Sequence, residues 1–349
     1  MAGDSPLQGR WEYRSFVEAW CHGAGSPDSV CDRPLFDRFG WLELLHRFCF
    51  SDRNADIVRA AESDAQAWLF LTETGARRRS ALANWYSFAF RPVFDNASDP
   101  AIKARLLAAM THSVAKRVAH IDLYPITEDD GTLHLMMTAL RDSGWSAVSR
   151  QMGINHFLDL NGRDFDAYWA TRPGPLRTLV QRKGRSAPFD FTIHHDVTDS
   201  LWADYLTVYG KSWKPSEPHF PFLRALAQQQ ADAGTLRLGF ARMDGVPVAA
   251  QLWTVQNNVA LIHKLAHDIA YDAQSPGTLL SHHMFRAAID KDRVMQIDYG
   301  TGNNRYKMDW MEAQRPLYRI DAYNLHFPVA WLPALRARIS SLVAGRLTR

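Results

Sequence analysis

The sequence predicts an α/β protein built from two halves, each with a mixed, largely antiparallel sheet. The first observation is length, because 349 residues correspond to two domains of roughly 150 residues each. The second is a repeated order of elements: each half shows apolar runs typical of strands, then a helical stretch, then a further strand. The third is a hairpin signal at Asp244-Gly245, which separates two strand-like apolar runs.

Composition excludes several classes of protein. Hydrophobic residues are 46% and charged residues 22% of the chain, as in soluble globular proteins, so a core can form and wholesale disorder is excluded. The formal charge of +3 is too small to imply a nucleic-acid partner, and we expect none. Cys21, Cys31 and Cys49 form no Cys-x-x-Cys pair, which supports neither a disulfide framework nor a zinc ribbon.

The N-terminal residues predict a cytoplasmic location. They carry an early acid and no apolar stretch of the kind found in secretory signals. The chain also lacks the run of about 18 apolar residues that a membrane-spanning helix needs.

The first half is predicted over 1–160 and is followed by a basic helical connector over 161–190. Apolar alternation predicts strands over 67–74, 81–90, 118–126 and 145–160, with helices over 100–117 and 131–143. In the connector, basic residues alternate with leucines and a valine, a pattern most typical of a solvated helix face.

The second half is predicted over 191–328. A three-stranded antiparallel meander is the clearest element, with strands over 236–243, 246–255 and 260–268. The other predicted elements are a strand over 192–197, helices over 200–213 and 221–233, a helix after the turn 275–278, and a strand over 294–300.

The turn Ser275-Pro276-Gly277-Thr278 is a candidate anion site. Proline presets φ for a helix start, glycine permits close approach of a ligand to the backbone, and serine and threonine can cap or donate. An ordinary helix start explains the same four residues. The turn lies between the last meander strand and a helix, and this position favours a phosphate site, because helix N-termini bind anions.

The run IDYGTGNNRYKMDW (297–310) has a Gly-x-Gly after a strand but lacks the third glycine and the βαβ unit of a dinucleotide fold. Asp298 at the strand end could orient or deprotonate an amine, and Tyr306 could protonate a leaving thiolate. A helix cap for Asp298 and a half-buried core position for Tyr306 are the structural alternatives.

The strand ALIHKLAHD carries further polar candidates. Strict alternation places His263 and His267 on one face and Lys264 and Asp268 on the other. The two imidazoles are then about 13 Å apart, too far to share one ion, so we expect no metal site. Lys264 and Asp268 form a simple ion pair in the commonest interpretation; otherwise one of these residues acts as a base or binds the acceptor. The adjacent pairs His194-His195 and His282-His283 are interpreted as structural or surface residues.

The tail over 329–349 is predicted to be a basic amphipathic helix. Between 322 and 349 the chain has no acidic residue, and leucines and an isoleucine recur near helical spacing. Such a helix either lies on an anionic membrane, here the inner membrane, or packs on the body of the protein.

Several of these segments together resemble a known family. Trp213-Lys214, DGVPVAAQL (244–252), HKLAHD (263–268), SPGTLL (275–280) and DYGTGNNRYKMDW (298–310) are similar to the cellulose-biosynthesis-type branch of the GNAT acyltransferases, near the FemAB-like transferases. The branch includes bacterial ceramide-synthase-like enzymes, and LFDRFGWLELL (35–45) resembles its N-terminal motif. The resemblance implies two tandem GNAT-like folds, of which the first is degenerate and faces the acceptor and the second holds the CoA site.

The resemblance also implies roles for individual residues. Ser275, Pro276, Gly277 and Thr278 would take the CoA pyrophosphate, while the residues that match the family's acceptor-side and DxG…YK positions are Trp213, Lys264, Asp298, Gly300, Tyr306 and Lys307. Asp298, Tyr306, His263 and Lys264 are the catalytic candidates, and Trp213, Lys214 and Lys307 the substrate-binding ones. The glycine loop is poorer than is usual for the family, which leaves room for an acyl carrier protein thioester in place of acyl-CoA.

These inferences predict an N-acyltransferase that moves an acyl group from a thioester to a primary amine, with acyl-CoA as co-substrate and no permanently bound cofactor. We expect a long-chain, sphingoid-type amine as acceptor, because the resemblance includes ceramide-forming enzymes and the chain has 12 tryptophans and a basic tail. The alternatives are an amino sugar or exopolysaccharide precursor as acceptor, and a catalytically silent double-GNAT module that binds a partner.

Overall fold

The computed structural model describes residues 7–21, 33–186, 189–302 and 305–347. Contacts between Cα atoms divide the chain into a first unit, Met1–Ile154 with Arg315–Arg349, and a second unit, Asn155–Gln314. Among the described helices, none has both the length and the apolar character needed to cross a bilayer.

The secondary structure follows the α/β order expected from the sequence. The described strands are β1 (Leu7–Tyr13), β2 (Ala55–Glu62), β3 (Ala65–Gly75), β4 (Arg78–Ala81), β5 (Val93–Asp95), β6 (His120–Thr127), β7 (Trp145–Asp159), β8 (Phe189–His194), β9 (Leu236–Met243), β10 (Val246–Gln256), β11 (Val259–His267), β12 (Gln296–Thr301) and β13 (Ala313–Asn324). The described α-helices are α1 (Phe16–Cys21), α2 (Phe39–Cys49), α3 (Pro100–Ala115), α4 (Thr132–Asp142), α5 (Phe165–Ala170), α6 (Gly174–Ser186), α7 (Asp199–Gly210), α8 (Phe220–Asp232), α9 (Pro276–Arg286), α10 (Arg305–Trp310) and α11 (Trp331–Leu347).

The two units repeat one arrangement of strands. In the first, β2, β3 and β4 form an antiparallel meander, α3 follows, and β6 pairs in parallel with β4. In the second, β9, β10 and β11 form the meander, α9 follows, and β12 pairs in parallel with β11. The prediction of two tandem GNAT-like folds with mixed, largely antiparallel sheets is therefore confirmed.

Both turns of the second meander have the backbone conformation that their residues predict. Asp244 and Gly245 have φ of 51° and 80°, and Asn257 and Asn258 have φ of 49° and 59°. Positive φ at both central residues defines the turn that matches the twist of paired strands, and glycine, asparagine and aspartate adopt it at the lowest cost.

The core of the second unit lies on both faces of its sheet. One cluster joins Tyr168 of α5 and Leu280 of α9 to the strand residue Trp253. The other joins Tyr205 of α7 and Ala227 of α8 to Leu252. Because helices cover both faces, β10 is apolar almost throughout, which explains why alternation is weak in its sequence.

Three expectations about the elements differ from the structure. The strand predicted over 81–90 is wrong: β4 ends at Ala81, and Asn84 then accepts the backbone N–H groups of Tyr86 and Ser87 in a turn. The 161–190 connector is two helices, α5 and α6, because Pro173 interrupts the segment between them. Residues 315–328, predicted in the second half, belong to the first unit, because β13 pairs with β6.

Candidate functional site

A β-bulge re-aims the polar side chains at the end of the second meander. Leu252 pairs with Lys264 and Trp253 with Ile262, so His263 is an additional residue in β11. Ile262 and Leu265 consequently both pack with the α9 cluster. The strict alternation predicted for this strand, with His263 and His267 on one face, is therefore wrong.

Strands β11 and β12 pair over a short ladder and then part. The described pairs run from Val259 with Gln296 to Leu261 with Asp298, although β11 continues to His267 and β12 to Thr301. Beyond the ladder, the backbone of each strand has N–H and C=O groups that this pairing does not use. An extended chain that carries amide groups can add to such strand edges.

Helix α9 follows β11 in the chain and begins near the gap between β11 and β12. Ser275 has φ of 57° and precedes Pro276 in the first helical position, and in the described structure no side chain caps the helix. The first turn is anchored from below, because Gln251 Nε2 donates to Ser281 Oγ at 2.8 Å and Ser281 Oγ donates to Gly277 O at 3.0 Å. These bonds fix the first turn of α9, whose N–H groups, including that of Thr278, carry the positive end of the helix dipole.

His267 lies directly against Gly277. A Cβ added to Gly277 would be 2.8 Å from His267 Nδ1, so this position requires the absence of a side chain. The ring is held by its Nε2, which is 2.6 Å from Asp272 Oδ1, and by the indole of Trp213 at a centroid distance of 4.6 Å. Trp213 is exposed and therefore also available to a ligand.

Asp298 is held at the end of the β11–β12 ladder. Its Oδ1 accepts hydrogen bonds from Asn155 Nδ2 at 2.8 Å and from the backbone N–H of Gly300 at 2.7 Å. The side chain is buried, and Gly300 adopts φ of 70°, which suits glycine in this turn. These two hydrogen bonds orient the carboxylate of Asp298.

Lys307 closes the turn from the other side. Its buried Nζ donates to the carbonyl oxygens of Tyr299 at 3.0 Å and Thr301 at 2.6 Å, and lies 3.4 Å from Gly300 O. Burial lowers the pKa of Lys307 to about 8, although the negative charge of Asp298 acts to raise it. The neighbouring Tyr306 ring packs edge to face against Tyr299, with 5.8 Å between the ring centroids, and is partly exposed.

Lys264 pairs with a carboxylate that sequence reasoning missed. Lys264 Nζ is 2.5 Å from Oε2 of Glu217, which is buried in the loop after α7. The predicted pair of Lys264 with Asp268 is wrong, since Asp268 accepts the N–H of Ala270 and faces Lys211. Glu217 lies between Pro215 and Pro218 in a loop, and no sequence spacing links it to Lys264.

Lys214 brings a further cation to this part of the second unit. Burial and the charges of Lys264 and Lys307 lower the pKa of Lys214 to about 8, while Glu217 acts in the opposite direction. Its Nζ lies 5.8 Å from the centroid of the Trp213 ring. A lysine in such surroundings changes charge near neutral pH and is sensitive to an incoming anion.

His263 is a neutral, half-buried imidazole. Its Nε2 is 3.0 Å from Thr254 Oγ1, and burial, aided by the charge of Lys264, lowers its pKa to about 3. His282 is comparable, because it packs against Phe165 and Trp169 and burial lowers its pKa to about 4.

The predicted site residues all lie in the second unit, where they form two groups. Ser275, Pro276, Gly277 and Thr278 start α9 beside His267 and Trp213, while Asp298, Tyr306 and Lys307 surround the end of β12. Sequence reasoning missed Glu217, Asn155 and the fully buried His156. His156 follows Asn155 in β7 and feels the charge of Lys307, so it belongs to the surroundings of the site.

Comparison with known proteins supports the class of this domain. Residues 176–308 match the family model described as an acetyltransferase (GNAT) domain. This segment contains α9, the meander and most of the candidate residues. The coarse class that the match supports is a GNAT-type acyl- or acetyltransferase. The comparison with curated proteins found no match.

Solved structures share the fold over most of the chain. The C-terminal (DUF2156) domain of a protein described as a lysylphosphatidylglycerol synthetase from Agrobacterium fabrum is 15% identical, with a TM-score of 0.57 over 90% of this chain and 95% of that one. L-PGS from Bacillus licheniformis is 14% identical, with a TM-score of 0.53 over 88% and 93%. FemX is 9% identical, with a TM-score of 0.58 over 85% and 93%. At such identities the likeness concerns the fold alone.

Proposed function

We propose that this protein is an acyl-CoA-dependent N-acyltransferase that moves an acyl group from a thioester to a primary amine. The observation that carries the proposal is the parting of β11 and β12 beside the uncapped start of α9. The amide groups of a pantetheine arm can pair with the open strand edges. The pyrophosphate then meets the N–H groups of Gly277 and Thr278 at the helix N-terminus.

The chemistry requires a neutral amine. An alkylammonium with a pKa near 10 must lose a proton before attack, which costs roughly 4 kcal/mol at neutral pH. Asp298, oriented by Asn155 and Gly300, takes that proton in our proposal. The amine nitrogen attacks the thioester carbon, and an N–H of the β11 edge stabilises the oxyanion. The C–S bond then breaks as Tyr306 donates its proton to the departing thiolate. The nitrogen loses its second proton as the amide forms, and this proton returns through solvent to Tyr306, while Asp298 releases its proton to solvent.

The other candidates position the groups that react. Lys307 holds the carbonyl groups at the end of β12, so it fixes the turn that carries Asp298. Glu217 holds Lys264, and together with Lys214 and Trp213 they form the acceptor side in this proposal. His263, assigned as catalytic from the sequence, has a pKa of about 3, which makes it a weak base. We assign it the positioning of β11 through Thr254.

A long-chain, sphingoid-type amine is our proposed acceptor, with a ceramide-type product. The resemblance to ceramide-synthase-like enzymes supports it. A lysylphosphatidylglycerol synthetase domain with the same fold is named for a lipid product, which supports a lipid substrate in this fold. An acyl carrier protein thioester remains the second possible donor, because the anion turn has a single glycine.

Thiol release tests the proposal. Acyl-CoAs of two to eighteen carbons are incubated with the protein, alone and with a sphingoid base, glucosamine or lysine, and free thiol is followed with a chromogenic reagent. We expect release that depends on the amine, is fastest with the sphingoid base, and yields an amide visible by mass spectrometry. A preference for glucosamine would transfer the proposal to an amino-sugar acceptor. No amine-dependent release from acyl-CoA or from acyl carrier protein would refute enzymatic function and favour a binding module.

A further inference from the structure

Helix α11 presents an apolar face to solvent. Trp331, Leu332, Leu335 and Ile339 are each more than half exposed, at 58%, 56%, 56% and 52%. At 100° per residue these four positions lie within an arc of about 100°, so they form one continuous stripe. Val329, in the turn before the helix, is 68% exposed and extends the apolar surface. We call these five residues the outer face of α11.

The helix is fastened to the first unit by a different side. Ala334 is buried at 4% exposure, and Arg338 Nε donates to Ser146 Oγ at 3.0 Å. The Trp331 indole N–H donates to Leu325 O at 2.8 Å, so the polar atom of this ring is satisfied and its apolar part remains outward. The exposure of the outer face therefore results from how the helix is docked.

A cavity of about 410 Å³ lies beside this face. Its lining is formed by β7, β13 and α11: Val148, Ser149, Arg150, Asp321, Tyr323, Pro333, Arg336, Ala337, Ser340 and Ser341. The charge of Asp321 is balanced by Arg150, which lies 3.2 Å from its Oδ2, and its Oδ1 is 3.3 Å from His120 Nε2. Arg336 has no side-chain hydrogen bond or ion pair within the described residues. A guanidinium and three serine hydroxyls thus line a cavity that a phosphate group fits.

Basic residues flank the outer face of α11. On the helical wheel, Arg336 and Arg338 border the two sides of the apolar stripe, and the chain has no acidic residue from 322 to 349. Arginines flanking an apolar stripe that carries a tryptophan are typical of helices that lie in the interface of an anionic bilayer. A second copy of this chain fits less well, because a two-fold contact would bring two such basic surfaces together.

We propose that the outer face of α11 and the adjoining cavity form a docking surface for an anionic phospholipid bilayer. The apolar side chains enter the interfacial region of the membrane, and Arg336 receives a lipid phosphate in the cavity. This surface lies in the first unit and does not depend on the acyltransferase proposal. It does place a lipid amine, if that is the acceptor, in the same membrane as the protein.

Vesicle binding tests the docking surface on the full chain. We expect sedimentation with vesicles of 70% phosphatidylcholine and 30% phosphatidylglycerol, and at least tenfold weaker sedimentation with phosphatidylcholine alone. Arg336→Glu should weaken the affinity at least about fivefold, as expected for loss of one basic residue at such a surface. Leu335→Glu with Ile339→Glu should weaken it at least about tenfold. Met295→Glu, at a 52% exposed position of the second unit, and Arg182→Glu on α6 are matched controls that should bind normally.

A second measurement separates membrane insertion from other occupants. Brominated lipids should quench the wild-type fluorescence more than that of Trp331→Phe, because only an inserted indole meets the bromine atoms. Sedimentation velocity of both proteins without lipid reports self-association. Equal binding to both vesicle types, unchanged binding of the α11 variants, or a dimer that Leu335→Glu abolishes would each overturn the proposal.

Discussion

Replacing Asp298 by asparagine separates proton transfer from architecture. In the structure, one atom, Oδ1, accepts both hydrogen bonds, from Asn155 Nδ2 at 2.8 Å and from Gly300 N at 2.7 Å. Asparagine has an oxygen at the same place, so both bonds can persist while the negative charge is lost. Alanine removes the acceptor altogether and leaves a buried amide and a buried N–H without it.

The two variants have different expected magnitudes. General-base contributions are typically 10² to 10⁴ in rate, so Asp298→Asn should lower kcat by about a hundredfold or more, which is about 2.7 kcal/mol. Its free energy of unfolding should change by less than about 1 kcal/mol. Asp298→Ala should show the same loss of kcat and in addition lose about 2 to 6 kcal/mol of stability, at roughly 1 to 3 kcal/mol for each buried group left unsatisfied.

The assay is amine-dependent thiol release under saturating acyl-CoA, with urea midpoints measured on the same preparations. Asn155→Ala is the positioning control, because it removes one orienting bond and keeps the carboxylate. A smaller loss of kcat is expected for it than for Asp298→Asn. If Asp298→Asn keeps more than a third of the wild-type kcat while Asp298→Ala unfolds at lower urea, Asp298 is an anchor of the turn and the base lies elsewhere.

Three further outcomes follow from the site. Gly277→Ala should raise the KM for acyl-CoA several-fold but spare acyl-pantetheine, since the new Cβ displaces the His267 ring near the pyrophosphate site; a matching loss with acyl-pantetheine would place the defect elsewhere. If the Lys214 ammonium binds an anionic group of a substrate, the KM for that substrate should rise as pH rises through the Lys214 pKa of about 8, because the positive charge is lost above that pH. Lys214→Arg should abolish this rise, and a KM that still rises with pH in the variant would contradict the role. Tyr306→Phe should lower kcat by about a hundredfold with alkyl thioesters but much less with an activated thiophenyl ester, whose thiolate leaves without protonation; equal losses would argue for a structural role.

Local backbone chemistry explains what could be predicted from the sequence. The hairpin at Asp244-Gly245 and the helix start at Pro276 depend on φ preferences of the residues themselves, and both are present. Periodicity predicted the meander, α9 and β12, because burial of one face or stripe leaves a regular apolar pattern. The grouping of Asp298, Tyr306 and Lys307 was also readable, since they are close neighbours in the chain.

Contacts between distant segments were decided only by the tertiary structure. The bulge at His263 arises from pairing with β10, so reading β11 alone gave the wrong faces. Glu217 reaches Lys264, and Asn155 reaches Asp298, across stretches of chain that carry no spacing rule. Likewise, β13 joins the first unit because its partner is β6. A residue's own preferences are written into the sequence, whereas the identity of its partner depends on which strands and loops pack together.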